Sequence, residues 1–114
     1  MNLILSEITI IVSKEECVDF YKELGFKEVS REVRLSSHDE LIYLSNGNIL
    51  LRLYKDSTHP KRDRNPESLG LRYLVFETKS LEAFSKSNVK TDKNGKFVFL
   101  TDPDGQPIQI REKR

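Results

Sequence analysis

A chain of 114 residues with 37% hydrophobic and 32% charged side chains has the size and make-up of one globular domain with a modest core. Its 19 basic and 18 acidic residues leave a formal charge of +1, so no global field calls for nucleic acid or an anionic membrane as partner. No apolar run approaches the ~20 residues of a membrane span, and residues 1–5 lack the pattern of a secretory signal. The single Cys17 excludes an internal disulfide, so the expected location is the cytoplasm.

Residues 8–12 read as a first strand, with Ile8, Ile10 and Val12 on one face and Glu7, Thr9 and Ile11 on the other. Ser13 and Glu16 have capping-box spacing for a helix that runs to about Leu24. Cys17, Phe20, Tyr21 and Leu24 recur at helical spacing as its buried stripe, so Cys17 reads as core rather than nucleophile. Gly25 stands where a left-handed residue ends a helix. Residues 26–35 mix charged and apolar positions as a half-exposed strand does. Residues 40–45 and 48–55 flank Asn46-Gly47, a pair that tolerates positive φ and predicts a hairpin. The first half therefore reads β-α-β-β-β.

Residues 56–69, with Pro60, Pro66 and His59, read as a loop. Its basic run, Lys61, Arg62 and Arg64, is broken by Asp63 and has no aromatic neighbours, which favours a solvated loop over a nucleic-acid patch. The order then restarts. Residues 71–78 form a strand with Leu74 and Phe76 on one face, and Ser80 caps a short helix to Lys86 that buries Leu81 and Phe84. A short strand at 89–90, a turn at Asn94-Gly95 and a strand at 96–101 follow. Asp102-Pro103-Asp104-Gly105 is a tight turn, and 107–112 the last strand. Two β-α-β-β-β units, 1–55 and 70–114, joined by 56–69 within a single domain 1–114, predict an α+β fold.

Three stretches carry a resemblance. Residues 8–12 followed by Asp19-Phe20-Tyr21-Lys22-Glu23-Leu24-Gly25-Phe26, then Gly70-Leu71-Arg72-Tyr73-Leu74-Val75-Phe76-Glu77, then Phe99-Leu100-Thr101-Asp102-Pro103-Asp104-Gly105 with its following strand, occur in order along the chain. Together they resemble the vicinal oxygen chelate superfamily of glyoxalases, bleomycin-resistance proteins and ring-cleaving dioxygenases. The resemblance implies paired βαβββ modules forming a cup-shaped mixed sheet, often closed by a second chain as a homodimer. It also implies a divalent metal held by the first and fourth strands of each module, typically through two histidines and two carboxylates.

Carried over one position at a time, those ligands fall on Glu7, Arg52, Tyr73 and Gln109. Arg52 offers only donors and stays protonated, so it repels a divalent ion. Glu7 and, more weakly, Gln109 are the remaining metal candidates; no cofactor is expected, although a divalent metal stays open. Strand phase independently places Glu7, Thr9, Arg52, Tyr54, Tyr73, Gln109 and Arg111 off the core face, the side on which the resemblance implies a ligand-binding set. His38 and His59, the two histidines, fall in loops. No His-Glu-x-x-His, Gly-x-Ser-x-Gly or glycine-rich phosphate loop is present, and no catalytic residue is legible. The leading expectation is a binder of a small, anionic, planar molecule that needs no metal. The alternatives are a metal-dependent lyase, thiol transferase or dioxygenase of the same superfamily, and an interaction domain with a vestigial cup.

Overall fold

The computed structural model describes residues 1–61 and 69–113. Arg62, Asp63 and Arg64 of the basic run, and residues 65–68 of the expected loop, lie outside the described residues. The chain divides into two compact units, Met1–Lys61 and Arg62–Arg114.

In the first unit β1 (Glu7–Val12) leads into α1 (Glu15–Glu23), then β2 (Lys27–Arg34), β3 (Asp39–Ser45) and β4 (Leu50–Lys55). The sheet order is β1-β4-β3-β2, with β1 and β4 parallel and the other pairs antiparallel. Parallel neighbours need a long crossover, and α1 with β2 and β3 supplies it. One sheet face and the helix make the core, where Val12, Ile42, Leu44, Leu51 and Leu53 meet Cys17, Val18 and Tyr21, all at 1% exposure or less. Each such aliphatic side chain contributes about 1.5–3 kcal/mol through burial.

Two local expectations for this unit are corrected. The Ser13–Glu16 capping box does not form: Lys14 occupies the N-cap position, extended at φ −157°, and no side chain caps it. Glu15 and Glu16 instead put negative charge in the first turn, where the helix dipole favours it. The Asn46-Gly47 hairpin exists, but its loop has four residues, since Ser45 pairs with Leu50. A two-residue type I′ turn needs positive φ at both positions. Gly47 has it at 91°, whereas His38 is the one non-glycine residue with positive φ among those described. The Asn46 side-chain oxygen accepts the N–H groups of Asn48 and Ile49, both at 3.0 Å, and so holds the wider loop.

The second unit repeats the order with β5 (Leu74–Thr78), a single 3-10 turn (Glu82–Phe84), β6 (Lys90–Asp92), β7 (Gly95–Thr101) and β8 (Pro107–Glu112). Its sheet runs β5-β8-β7-β6, again with the first pair parallel. Leu81, Val98, Ile108 and Ile110 are its buried apolar residues. The expected helix at 80–86 is reduced to that 3-10 turn. Its two large apolar residues, Leu81 and Phe84, stand three apart, and Ser85, Ser87 and Asn88 are poor helix formers. Ser80 does accept the Glu82 N–H at 3.1 Å, and Glu112 on β8 accepts the Leu81 N–H at 3.0 Å. The mixed sheets and repeated units make this the α+β glyoxalase/bleomycin-resistance/dioxygenase fold. Among the described residues no helix is long and apolar enough to cross a membrane.

Candidate functional site

The non-core face of the first sheet is set by register. Thr9 on β1, Arg52 on β4 and Tyr43 on β3 are successive partners, so their side chains share that face with Glu7 and Tyr54. Glu7 Oε1 lies 3.0 Å from Arg52 Nη2. The guanidinium carbon of Arg52 sits 5.0 Å from the centre of the Tyr43 ring, a cation–π contact. The Tyr54 hydroxyl and, after desolvation is set against it, the Glu7 charge raise the Arg52 pKa, so the side chain is charged at any working pH. Its Nε–H is the one buried side-chain nitrogen or oxygen among the described residues that meets no hydrogen-bond partner.

In the second unit Gln109 pairs with Val75 on β5 and Phe99 on β7, while Arg111 pairs with Glu77 and Phe97. Gln109 is 6% exposed, whereas Val75 and Phe99 beside it are 50% and 45% exposed. Tyr73, just before β5, meets Phe99 edge-to-face at 5.1 Å, and Phe97 meets Phe99 likewise at 5.8 Å. Arg111 covers the Phe97 ring at 4.9 Å, bonds Asp92 through Nη2, and donates from Nη1 to Gln109 Oε1 at 3.2 Å. A groove of about 540 Å³ lined by Val75, Glu77, Asn94, Arg111, Glu112 and Lys113 opens along this sheet.

Glu7, Thr9, Arg52 and Tyr54 therefore share one face of the first unit, and Tyr73, Gln109 and Arg111 share one face of the second. Three aromatic residues on these faces escaped the sequence reading: Tyr43, Phe97 and Phe99. They sit in the runs Leu41-Ile42-Tyr43-Leu44 and Phe97-Val98-Phe99-Leu100, where every position is apolar and alternation carries no phase. Taken unit by unit, these positions offer little to a divalent ion: in the first the Glu7 carboxylate is paired with the permanent cation of Arg52, and in the second the Gln109 amide oxygen accepts from Arg111. His38 lies in the β2–β3 turn and His59 Nδ1 is 3.4 Å from Asp56, beyond β4, so neither stands on a face strand.

Across comparisons with known proteins, no family model matches the chain. The uncharacterized protein YaeR of Escherichia coli (strain K12) is 33% identical, with 79% of each chain covered. YwkD of Bacillus subtilis (strain 168), also uncharacterized, is 31% identical over 96% of each. A glyoxalase family protein from Enterococcus faecalis superposes with a TM-score of 0.80 at 27% identity, over 97% of each chain. The chain belongs to the vicinal oxygen chelate superfamily.

Proposed function

We propose that this superfamily member binds a small anionic molecule through the polar face of its first sheet, where Arg52 stands, and without a divalent metal. The observation that supports it is the state of Arg52. Its guanidinium is fixed over Tyr43 and braced by Glu7, yet the side chain keeps 31% exposure on the sheet face. A planar donor fork held in place recognises carboxylate or phosphate groups with little ordering cost.

The test is a thermal-shift screen of small carboxylates and phosphates against wild type and Arg52→Ala. A ligand at a hundred times its dissociation constant adds about 2.7 kcal/mol of stability, and that gain is expected to vanish in the variant. Hits confined to cationic compounds, or anionic hits indifferent to Arg52, would overturn the reading. So would a stoichiometric metal, taken up from Mn²⁺, Ni²⁺, Zn²⁺ or Fe²⁺ by untagged protein and lost in Glu7→Ala.

A homodimer belongs to the same proposal. β2 is an edge strand whose Val29 and Val33 are 64% and 65% exposed, an arrangement that invites pairing with another chain. Light scattering at tens of micromolar, on the order of working concentrations, is expected to give twice the chain mass; a monomer mass would remove the dimer.

A further inference from the structure

Gln109 combines two properties that seldom meet in one side chain. It is a polar residue at 6% exposure, in the centre of a sheet face, with taller apolar neighbours on both sides. Its oxygen is occupied, since Arg111 Nη1 donates to Oε1 at 3.2 Å. An arginine has no acceptor, so it fixes which end of the amide faces it. The other end is the NH₂ group, and it has no hydrogen-bond partner among the described residues. That nitrogen is not sealed off either, because Arg52 Nε is the one fully buried nitrogen lacking a partner. Two amide N–H donors thus stand between the more exposed side chains of Val75 and Phe99, the partners of Gln109 on the neighbouring strands.

The amide cannot flip to hide them. Arg111 is itself pinned, by Asp92 on β6 and by the Phe97 ring beneath it. Turning the amide over would set its NH₂ against a guanidinium and lose a charge-assisted bond. Arg111 is therefore a positioning residue for Gln109.

We propose that the second sheet reads an oxygen acceptor on a flat aromatic ligand, with the Gln109 NH₂ bonding a carbonyl or carboxylate oxygen and the Phe99 ring stacking on the attached ring system. The acceptor requirement follows from the donor that stands free. The flat ring follows from Phe99, whose exposed surface is steadied by Tyr73 and Phe97 at right angles to it. This deepens the anion-binding reading by naming the ligand's shape, and it uses different residues on a different sheet.

Two probes separate the ideas: 2-naphthoate, which is anionic, and 2-acetonaphthone, which offers the same ring and a neutral acceptor. Titration of ¹⁵N-labelled protein is expected to shift the Gln109 side-chain NH₂ resonances with both. Gln109→Met, similar in length but without donors, is expected to weaken both probes about tenfold, with 2-ethylnaphthalene unaffected. Gln109→Glu is expected to weaken 2-naphthoate further still. Circular dichroism and melting of each variant exclude unfolding as the cause. Should neither probe move the Gln109 NH₂ signals, or should Gln109→Met bind both as wild type does, the inference is overturned. Arg52→Ala is scored alongside: carboxylates lost there but unchanged in Gln109→Met leave the anion reading standing and remove this one. The reverse pattern does the opposite.

Discussion

Asp102→Ala is expected to lower stability by about 2–4 kcal/mol, because it strips two partly buried N–H groups of one shared acceptor. Asp102 is 3% exposed, and its Oδ1 accepts from the Asp104 and Gln106 N–H groups, both at 2.9 Å. The backbone closes the same turn twice more, from Gly105 N to Asp102 O and from Asp102 N to Gln106 O, each at 2.9 Å. Those two bonds survive the substitution, so the turn loosens rather than disappears. Asp102→Asn keeps an acceptor in place and is expected to cost under about 1 kcal/mol. Urea unfolding gives the two differences directly, and amide exchange at Asp104 and Gln106 is expected to speed up in the alanine variant alone. Equal midpoints for Asp102→Ala and wild type would show that the carboxylate is dispensable. The consequence reaches the binding face, since this turn sets the Thr101–Pro107 pairing from which the register of Phe99 with Gln109 follows.

The same turn shows why so much of the fold was legible in the sequence. Asp-Pro-Asp-Gly writes its geometry into four adjacent residues, and Gly105 takes the φ of 90° that it alone tolerates easily. The strands of β1, β4 and β8 were legible for a related reason: charged or polar residues alternate with Ile and Leu, so phase and face come together. Where a boundary depended on competition between neighbours, the sequence misled. Ser13 looked like a cap, but the chain is still extended at Lys14, and the helix begins one residue later than the box requires. The site was legible by half. Glu7, Arg52 and Gln109 could be placed on their faces, whereas the Glu7–Arg52 bond and the Arg111–Gln109 bond depend on rotamers that no periodicity encodes. Tyr43 and Phe99 were hidden by apolar neighbours on both sides.

Arg31→Met is expected to cost about 1–2 kcal/mol at neutral pH, with a loss that fades in acid. Arg31 on β2 reaches three carboxylates. It bonds both oxygens of Glu15 on α1 at 2.8 and 2.9 Å, Glu40 on β3 at 2.9 Å and Glu28 at 2.8 Å. Lys55 on β4 closes the cluster with Glu15 at 2.9 Å and Glu40 at 3.1 Å. The start of the helix is thereby tied to three strands. Arg31, and then Lys55, hold the Glu15 carboxyl down at about 2, and Glu28 and Glu40 are lowered as well. A carboxylate with a depressed folded pKa adds stability that is fully present above its ordinary value near 4.5 and is lost as pH falls through about 2. Solvent screening of these partly exposed groups keeps the gain well below what the shift alone implies. Melting curves of wild type and Arg31→Met at pH 7, 4.5 and 2 should therefore converge stepwise, and a gap that stays constant to pH 2 would rule out the charge cluster as its source. Arg31 pairs in register with Ile42, on the core side of the sheet, whereas Arg52 pairs with Tyr43 on the other. The same variant is thus expected to leave the Arg52-dependent response to small carboxylates unchanged, which separates the clamp that holds the first unit from the face proposed to bind.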